Sequence, residues 1–418
     1  MFNFRLINKI KKIFFPFYKN KDLKFVFKKM QEGFPSKSNT AMFVGGCVRK
    51  YLCNEQIDDI DIATSLTSAQ IKEKFKDTKF DIIDSGIKHG TVTLVSDKLK
   101  LEVTTLRKDI KTDGRHADVE YIDDWQEDSC RRDFTINAIY LDITGKFFDP
   151  QSGIDDLKNK RLKFIGNPLI RIEEDYLRII RFIRFSLEYG GEIQQETIDA
   201  IKLNLNGIKK ISKERILIEL FKILQTKNFL RINENESLKE FFLLIFPELK
   251  YLDRIIKINS ISTKSYFERN ILLTILLVDE TNNHEYFSHK YNISNELKES
   301  LNLLAKNFIN FHKNKNFFQK DLKKNIFYFG KKHLETLNLL NYLINKKVRL
   351  KDYFYVLDGI NKISLPKFPI DGKYLKKRGV KEGAGMGKIL KLLQNEWIIN
   401  DFEISDQKIV KIINEQDN

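Results

Sequence analysis

The sequence predicts an α+β fold, with a β-rich head followed by a long all-α arm. The strand signal comes in short runs, AMFVGG, IDDIDIAT, FDIIDSG, GTVTLVSD, KLEVTTLR and FTINAIYLD, punctuated by glycine and polar turns and ending near Asp149-Pro150. Beyond about Gly153 apolar residues recur every three or four positions, and glycine stays sparse until the C-terminal region. At 418 residues the chain is too long for one small core. It divides into a basic N-terminal arm or helix at 1–35, a head at 36–155, a helical neck at 156–260 and a helical body and tail at 261–418.

In order, MFNFRLINKIKKIFFPFYKNK is basic and aromatic and lacks the long apolar centre of a signal peptide. It reads as a helix packed on the head, or else as an amphipathic arm. A short helix is expected from Lys21 to Glu32, closed by Gly33 and Pro35. After the strand runs, DPQSGIDDL at 149–157 connects head to neck. RIEEDYLRIIRFIRFSLEYG reads as one helix, and SKERILIELFKIL as another with Ser212 as its N-cap. The composition shifts again at Pro366 to Gly387. No solenoid period recurs.

Hydrophobic content of 42% with 31% charged residues is that of a globular chain. A formal charge of +16 permits a polyanionic partner, nucleic acid before anionic membrane, although the Lys, Asn, Ile and Phe bias alone could produce it. Cys47, Cys53 and Cys130 show no CxxC spacing and read as reduced thiols in a cytoplasmic protein. No apolar run approaches a membrane span, so no membrane partner is expected.

The chemistry concentrates in FVGGCVRKYLCNEQIDDIDIAT, residues 43–64. If IDIAT is a strand, alternation puts Asp59 and Asp61 on one face and Ile60 and Ile62 on the other. Asp58 falls on the apolar side of that register and is excluded from the pair. Neighbouring carboxylates repel, and Mg²⁺ with substrate phosphates is a common compensation. The Gly45-Gly46 turn can offer backbone N–H groups at a helix start to phosphate, and Arg49 adds a permanent cation one turn on. Either half alone is as well explained by a plain turn or a solvated strand end. Together they suit a nucleoside triphosphate with its metals.

GGCVRK followed by DIDIAT resembles the head-domain signature of the class II tRNA nucleotidyltransferase and bacterial poly(A) polymerase family. Lys50 departs from it, since the family usually carries Asp there. The resemblance extends in five ordered motifs over roughly residues 40–220, and more weakly to the tail around Gly379 to Trp397. It implies a polymerase-beta-like nucleotidyltransferase palm sheet followed by an elongated all-α neck, body and tail. It also implies that Glu102, in the EVTT context, completes a metal-supporting triad with Asp59 and Asp61. By itself a strand glutamate that shares a face with Thr104 is more often simply solvated.

RRDFTINA, residues 131–138, matches the family's second motif. There Arg132 would hold triphosphate, with Asp133 or Asn137 on the ribose hydroxyl; the plain alternative is an ion pair at a strand mouth. The polar segment before it, containing Gly114, corresponds to the flexible loop tied to addition of the terminal A. In EEDYLRIIRFIRF, Asp175 and Arg178 share a helix face, with Glu174 and Arg181 close by. A surface ion pair would explain them, but the resemblance assigns Asp175 and Arg178 to reading the base edge. A carboxylate beside a guanidinium matches cytosine and adenine, and leaves guanine or uracil with unpaired groups. Ser212, Glu214 and Arg215 are expected to cap and brace.

The resemblance thus implies addition of CCA to tRNA from CTP and ATP. Asp59 and Asp61 would hold two Mg²⁺ ions, Gly45, Gly46, Arg49 and Arg132 the phosphates, and the basic helical arm the acceptor stem and elbow. Alternatives are poly(A) synthesis, addition of A alone, or a non-catalytic RNA-binding descendant. A His-Asp phosphohydrolase domain is not supported, because no His-Asp dipeptide occurs. No stable protein partner is expected.

Overall fold

A computed structural model describes residues 20–417 except 36–38, 87–89, 113–116, 259–260, 262–266 and 315. The N-terminal arm at 1–19 and the loop tip around Gly114 lie outside the described residues. The chain forms two compact units, Met1–Pro247 and Glu248–Asn418.

In the first unit, helix α1 (Lys21–Gln31) is capped by the Asn20 side chain, which accepts from the Asp22 and Leu23 N–H groups. Strand β1 (Ala41–Val44) runs straight into α2 (Gly46–Cys53) through Gly45 at φ +72°, a backbone that L side chains avoid. Strand β2 (Ile60–Thr64) returns beside β1, and α3 (Ser68–Phe75) starts on a Thr67–Gln70 capping box. The hairpins β3 (Asp81–Gly86), β4 (Thr91–Ser96) and β5 (Leu99–Thr105) extend the sheet. With β8 (Tyr140–Leu141) and β9 (Phe147–Phe148) the strand order is β3-β4-β5-β2-β1-β8-β9. Of these pairings β2–β5 is parallel, and it brings two separate loops' worth of chemistry to one sheet end.

The alternation expected of β5 is present: Leu101 and Val103 are buried while Glu102 is exposed. Phe27, Phe43, Phe75, Val92, Leu94, Leu101 and Val103 pack under the sheet with α1 and α3. Strands β6 (Arg107–Thr112) and β7 (Ala117–Tyr121) form a separate two-stranded ribbon where the sequence suggested only a loop. Helix α4 (Trp125–Cys130) follows, and α5 (Gly153–Lys158) starts where the Asp149 carboxylate accepts from the Gly153 and Ile154 N–H groups.

Two local expectations need correction. FTINAIYLD is not one strand: Thr135–Asn137 is a 3₁₀ turn, and two residues, Tyr140–Leu141, pair as β8. The Asp133 carboxylate accepts from the Phe134 N–H and the Asn137 amide, so local bonds outcompete the ladder. Nor is RIEEDYLRIIRFIRFSLEYG one helix. Helix α6 (Pro168–Glu174) stops at Asp175, whose backbone is extended, and α7 (Leu177–Tyr189) starts afresh. The Asp175 side chain accepts from the Leu177 N–H, and the Tyr176 ring fills the space beside Gly207, where a Cβ would lie 2.1 Å away.

Helices α8 (Gln195–Asn204), α9 (Lys213–Leu224) and α10 (Glu236–Ile245) complete the unit, with Ser212 capping α9 as expected. The second unit is helical from Asp253–Ile258 to Asp406–Asp417. One of its clusters packs Trp397 against Phe327, Phe368 and Phe402. Among the described residues no helix is long and apolar enough to cross a membrane.

Gly153 offers a direct test of the head-to-neck connector. A Cβ there would lie 2.2 Å from the Thr135 carbonyl oxygen, which is backbone and cannot swing aside. Gly153→Ala is expected to destabilise the protein by about 1–3 kcal/mol, read as a lower midpoint in denaturant unfolding.

Candidate active site

The site is built around Asp61. Its register partner across the parallel β2–β5 pair is Glu102, so two carboxylates stand side by side on one sheet face. Asp59, exposed, lies just before β2 and adds its charge. Gly45 and Gly46 face the same group: Cβ atoms there would lie 3.7 and 4.0 Å from Asp61 Oδ2. Their lack of side chains leaves the carboxylate and the first turn of α2 uncovered. Burial, then the neighbouring Glu102, push the Asp61 carboxyl up to about 6, against the opposing pull of Arg132.

Hard oxygen donors of this kind suit a divalent cation. Among the described residues, no three His, Cys, Asp or Glu side chains form a complete metal cluster. Cys47, buried below, is no ligand: its thiol donates to the Val44 carbonyl, and burial pushes it up to about 12.

Arg132 borders the glycine turn, its Nη1 4.0 Å from the Cβ position of Gly45. It is held there by Asp128, which sequence reasoning missed. Fully buried Asp128 accepts from Arg131 Nε at 2.8 Å, Arg132 Nη2 at 3.0 Å and the Tyr140 hydroxyl at 2.7 Å. Burial alone would raise this carboxyl, but the two arginines hold it well below the usual carboxylate range. The signal was present in DSCRR, where Asp128 precedes the arginines by three and four residues.

Asp133 and Asn137 lie deeper. Asp133 Oδ2 receives Arg181 Nη2 at 2.7 Å and Nε at 2.9 Å. Burial opposes ionisation there, and Arg181 with Asn137 overcomes it, leaving the carboxyl low. Arg49 bonds through Nη1 to the Asn137 amide oxygen, and its guanidinium lies 4.8 Å from the ring centres of both Phe185 and Tyr189. Thus Arg49, 6% exposed, is packed between head and α7 while still acting on Asp61 through its charge. Lys50 pairs with Asp58 at 2.8 Å.

Asp175 and Arg178 are near one another in sequence but have different partners. Asp175 Oδ2 receives Arg215 Nη2 at 2.8 Å. Arg178 Nη1 reaches Glu174 Oε2 at 2.5 Å and the Arg171 carbonyl at 2.6 Å. The same Glu174 pairs with Arg171, whose Nη2 donates to the carbonyls of Arg131 and Arg132 at 2.6 and 2.7 Å. Arg171 therefore ties α6 to the segment that carries Arg132. A lone arginine before an acidic pair gave no warning of this.

The Asp61 carboxyl sets a pH signature. The fold raises it, so the folded state binds its proton more tightly than the unfolded chain. Its stabilising contribution is full below pH ~4 and is lost as pH rises through about 6. In metal-free protein at pH 8, Asp61→Asn should raise stability by ~1–2 kcal/mol, with the gain shrinking toward pH 4 in thermal melts with chelator.

Residues 41–163 match the family described as the poly A polymerase head domain, and residues 191–252 match a probable RNA and SrmB-binding site of polymerase A. The chain is 31% identical over 392 residues to the mitochondrial CCA tRNA nucleotidyltransferase 1 of Danio rerio, covering 89% of this chain and 86% of that protein. It is 31% identical over 375 residues to the CCA-adding enzyme of Lactococcus lactis subsp. cremoris, covering 87% and 89%. The fold is similar to that of the Bacillus stearothermophilus CCA-adding enzyme in complex with CTP, with a TM-score of 0.67, 23% identity and coverage of 94% and 96%. Enzymes of this kind generally use divalent metal ions. On this whole-length similarity, the chain belongs to the family of CCA tRNA nucleotidyltransferases and poly(A) polymerases.

Proposed function

We propose that this protein adds CCA to the 3′ end of tRNA without a nucleic-acid template, consuming CTP and ATP and releasing pyrophosphate. The observation that carries the reading is the Asp61–Glu102 pair set against the Gly45–Gly46 turn. The names of the relatives that match along most of the chain support tRNA as the acceptor and CCA as the product.

In each addition the tRNA 3′-oxygen bonds to the α-phosphorus as the bond to the β-phosphate breaks. The hydroxyl gives up its proton and pyrophosphate leaves with the electron pair. Divalent cations, Mg²⁺ in this reading, held by Asp59 and Asp61 with support from Glu102, would activate that hydroxyl and neutralise the triphosphate. The chain's own groups act by position. Backbone N–H groups after Gly45 face the phosphates at the start of α2. Arg132 meets them already immobilised by Asp128 and Tyr140, so little order is lost on binding. Arg49 contributes charge near Asp61, and Asp133 with Asn137 shapes the sugar's surroundings.

Asp175 and Arg178 read the base edge. A carboxylate has about four acceptor sites and a guanidinium five donors. Arg215 and Glu174 can therefore orient the two residues and still leave groups for cytosine or adenine. The basic helical arm would follow the acceptor stem and elbow by shape and backbone charge. A cytoplasmic setting fits three cysteines that form no disulfide among the described residues.

The test is incorporation on a tRNA transcript lacking its last three nucleotides, with Mg²⁺ and with CTP and ATP together or apart. Extension should stop after three additions and need both nucleotides, and Asp59→Ala/Asp61→Ala should abolish it. An open-ended ladder with ATP alone would indicate poly(A) synthesis instead. Replacing Asp175 with Ala should cut discrimination against UTP and GTP by about tenfold or more, read from kcat/KM ratios.

A further inference from the structure

One nucleotide must be gripped by two separate elements. Its phosphates belong at the head strands, and its base belongs at the junction from which α7 begins. In-line transfer tolerates little error between those two grips, since an ångström of misplacement can cost about a hundredfold. The angle of α7 against the head therefore matters for chemistry as well as for stability.

Near its start, α7 is tied down by Arg181 on Asp133 and, through α6, by Arg171 on the carbonyls of Arg131 and Arg132. Midway along it Phe182 and Phe185 pack on Phe134, so the last turn of α7 is the part these contacts hold least. At the far end of α7 the Tyr189 hydroxyl donates to Glu55 Oε2 at 3.0 Å. Glu55 follows Asn54, the left-handed cap of α2, and its N–H donates to the Lys50 carbonyl at 2.8 Å. Lys50 in turn holds Asp58, the residue before Asp59. The short link from α2 to β2, which delivers Asp59, is thus fastened to the C-terminal end of the base-selecting helix. The Tyr189 ring also covers one side of the Arg49 guanidinium.

We propose that Tyr189 and Glu55 form a latch that holds α7 in register with the catalytic carboxylates, so that both are positioning residues for nucleotidyl transfer. The proposal rests on the functional reading above. It assigns work to two residues outside the phosphate, metal and base contacts. It also accounts for Lys50 as the group that steadies the same link from its other side.

Tyr189→Phe keeps the ring on Arg49 and removes the hydroxyl with its contacts to both Glu55 and Arg49. Glu55→Ala, which leaves the Tyr189–Arg49 contact in place, is therefore the variant that isolates the latch. In the incorporation assay on full-length protein, kcat for both C and A addition should fall three- to tenfold in either variant. KM for CTP and ATP and the melting midpoint should stay near wild type. The double variant should be no worse than either single one, and Glu55→Gln, which keeps an acceptor oxygen, should recover most of the rate. If wild type extends the transcript and Glu55→Ala does so at the wild-type rate, the latch is wrong. Additive losses in the double variant, or a lowered melting midpoint with unchanged kcat, would overturn it equally. If wild type itself fails to extend any tRNA, the functional reading falls and the latch goes with it.

Discussion

Asp61 is a carboxylate that the fold partly withdraws from water and places beside Glu102, with Asp59 close by. Left alone, that arrangement costs free energy, because burial and like charge both disfavour ionisation. The surroundings are arranged to tolerate it. Two glycines keep one side open, and the positive charges of Arg132 and Arg49 favour the ionised form. The register of the β2–β5 pairing sets Glu102 opposite Asp61, and a slip of one residue would put Leu101 or Val103 there instead.

Around this centre seven arginines are paired with five carboxylates. Asp128 holds Arg131 and Arg132, Asp133 holds Arg181, Asp175 holds Arg215, Glu174 holds Arg171 and Arg178, and Glu219 holds Arg184. Long cationic side chains lose conformational freedom when they bind a ligand, and here much of that loss has already occurred on folding. One of them, Asp133–Arg181, joins head to neck, as does Arg171 on the Arg131 and Arg132 carbonyls, so in the proposed function selection of the base and placement of the phosphates share one frame. A surface count of salt bridges would miss this, because these pairs matter for where they hold the guanidinium more than for net stability.

Much of this was legible in the chain. Gly45-Gly46 before a helix, Asp61 on a strand, the exposed Glu102 between Leu101 and Val103, and Ser212 as a cap all follow local rules of spacing and capping, whereas Asp59 falls just before the strand rather than in its alternation. What escaped local reading were places where a side chain competes with the backbone pattern. Asp133 breaks FTINAIYLD into a turn, and Asp175 splits an otherwise periodic helix by capping its second half. The helical period carries straight across that break, so hydrophobic spacing could not reveal it.

By itself, then, the sequence determined the order of the elements, the acidic and glycine-rich chemistry of the head, and the helical character of everything after it. These depend on contacts between residues a few positions apart. Only the tertiary structure decided that Glu102 stands next to Asp61, that Arg49 is clasped by Phe185 and Tyr189, and that Asp175 answers to Arg215. Those partners lie tens to more than a hundred residues apart, and no local periodicity encodes which of many possible carboxylates a buried guanidinium will meet.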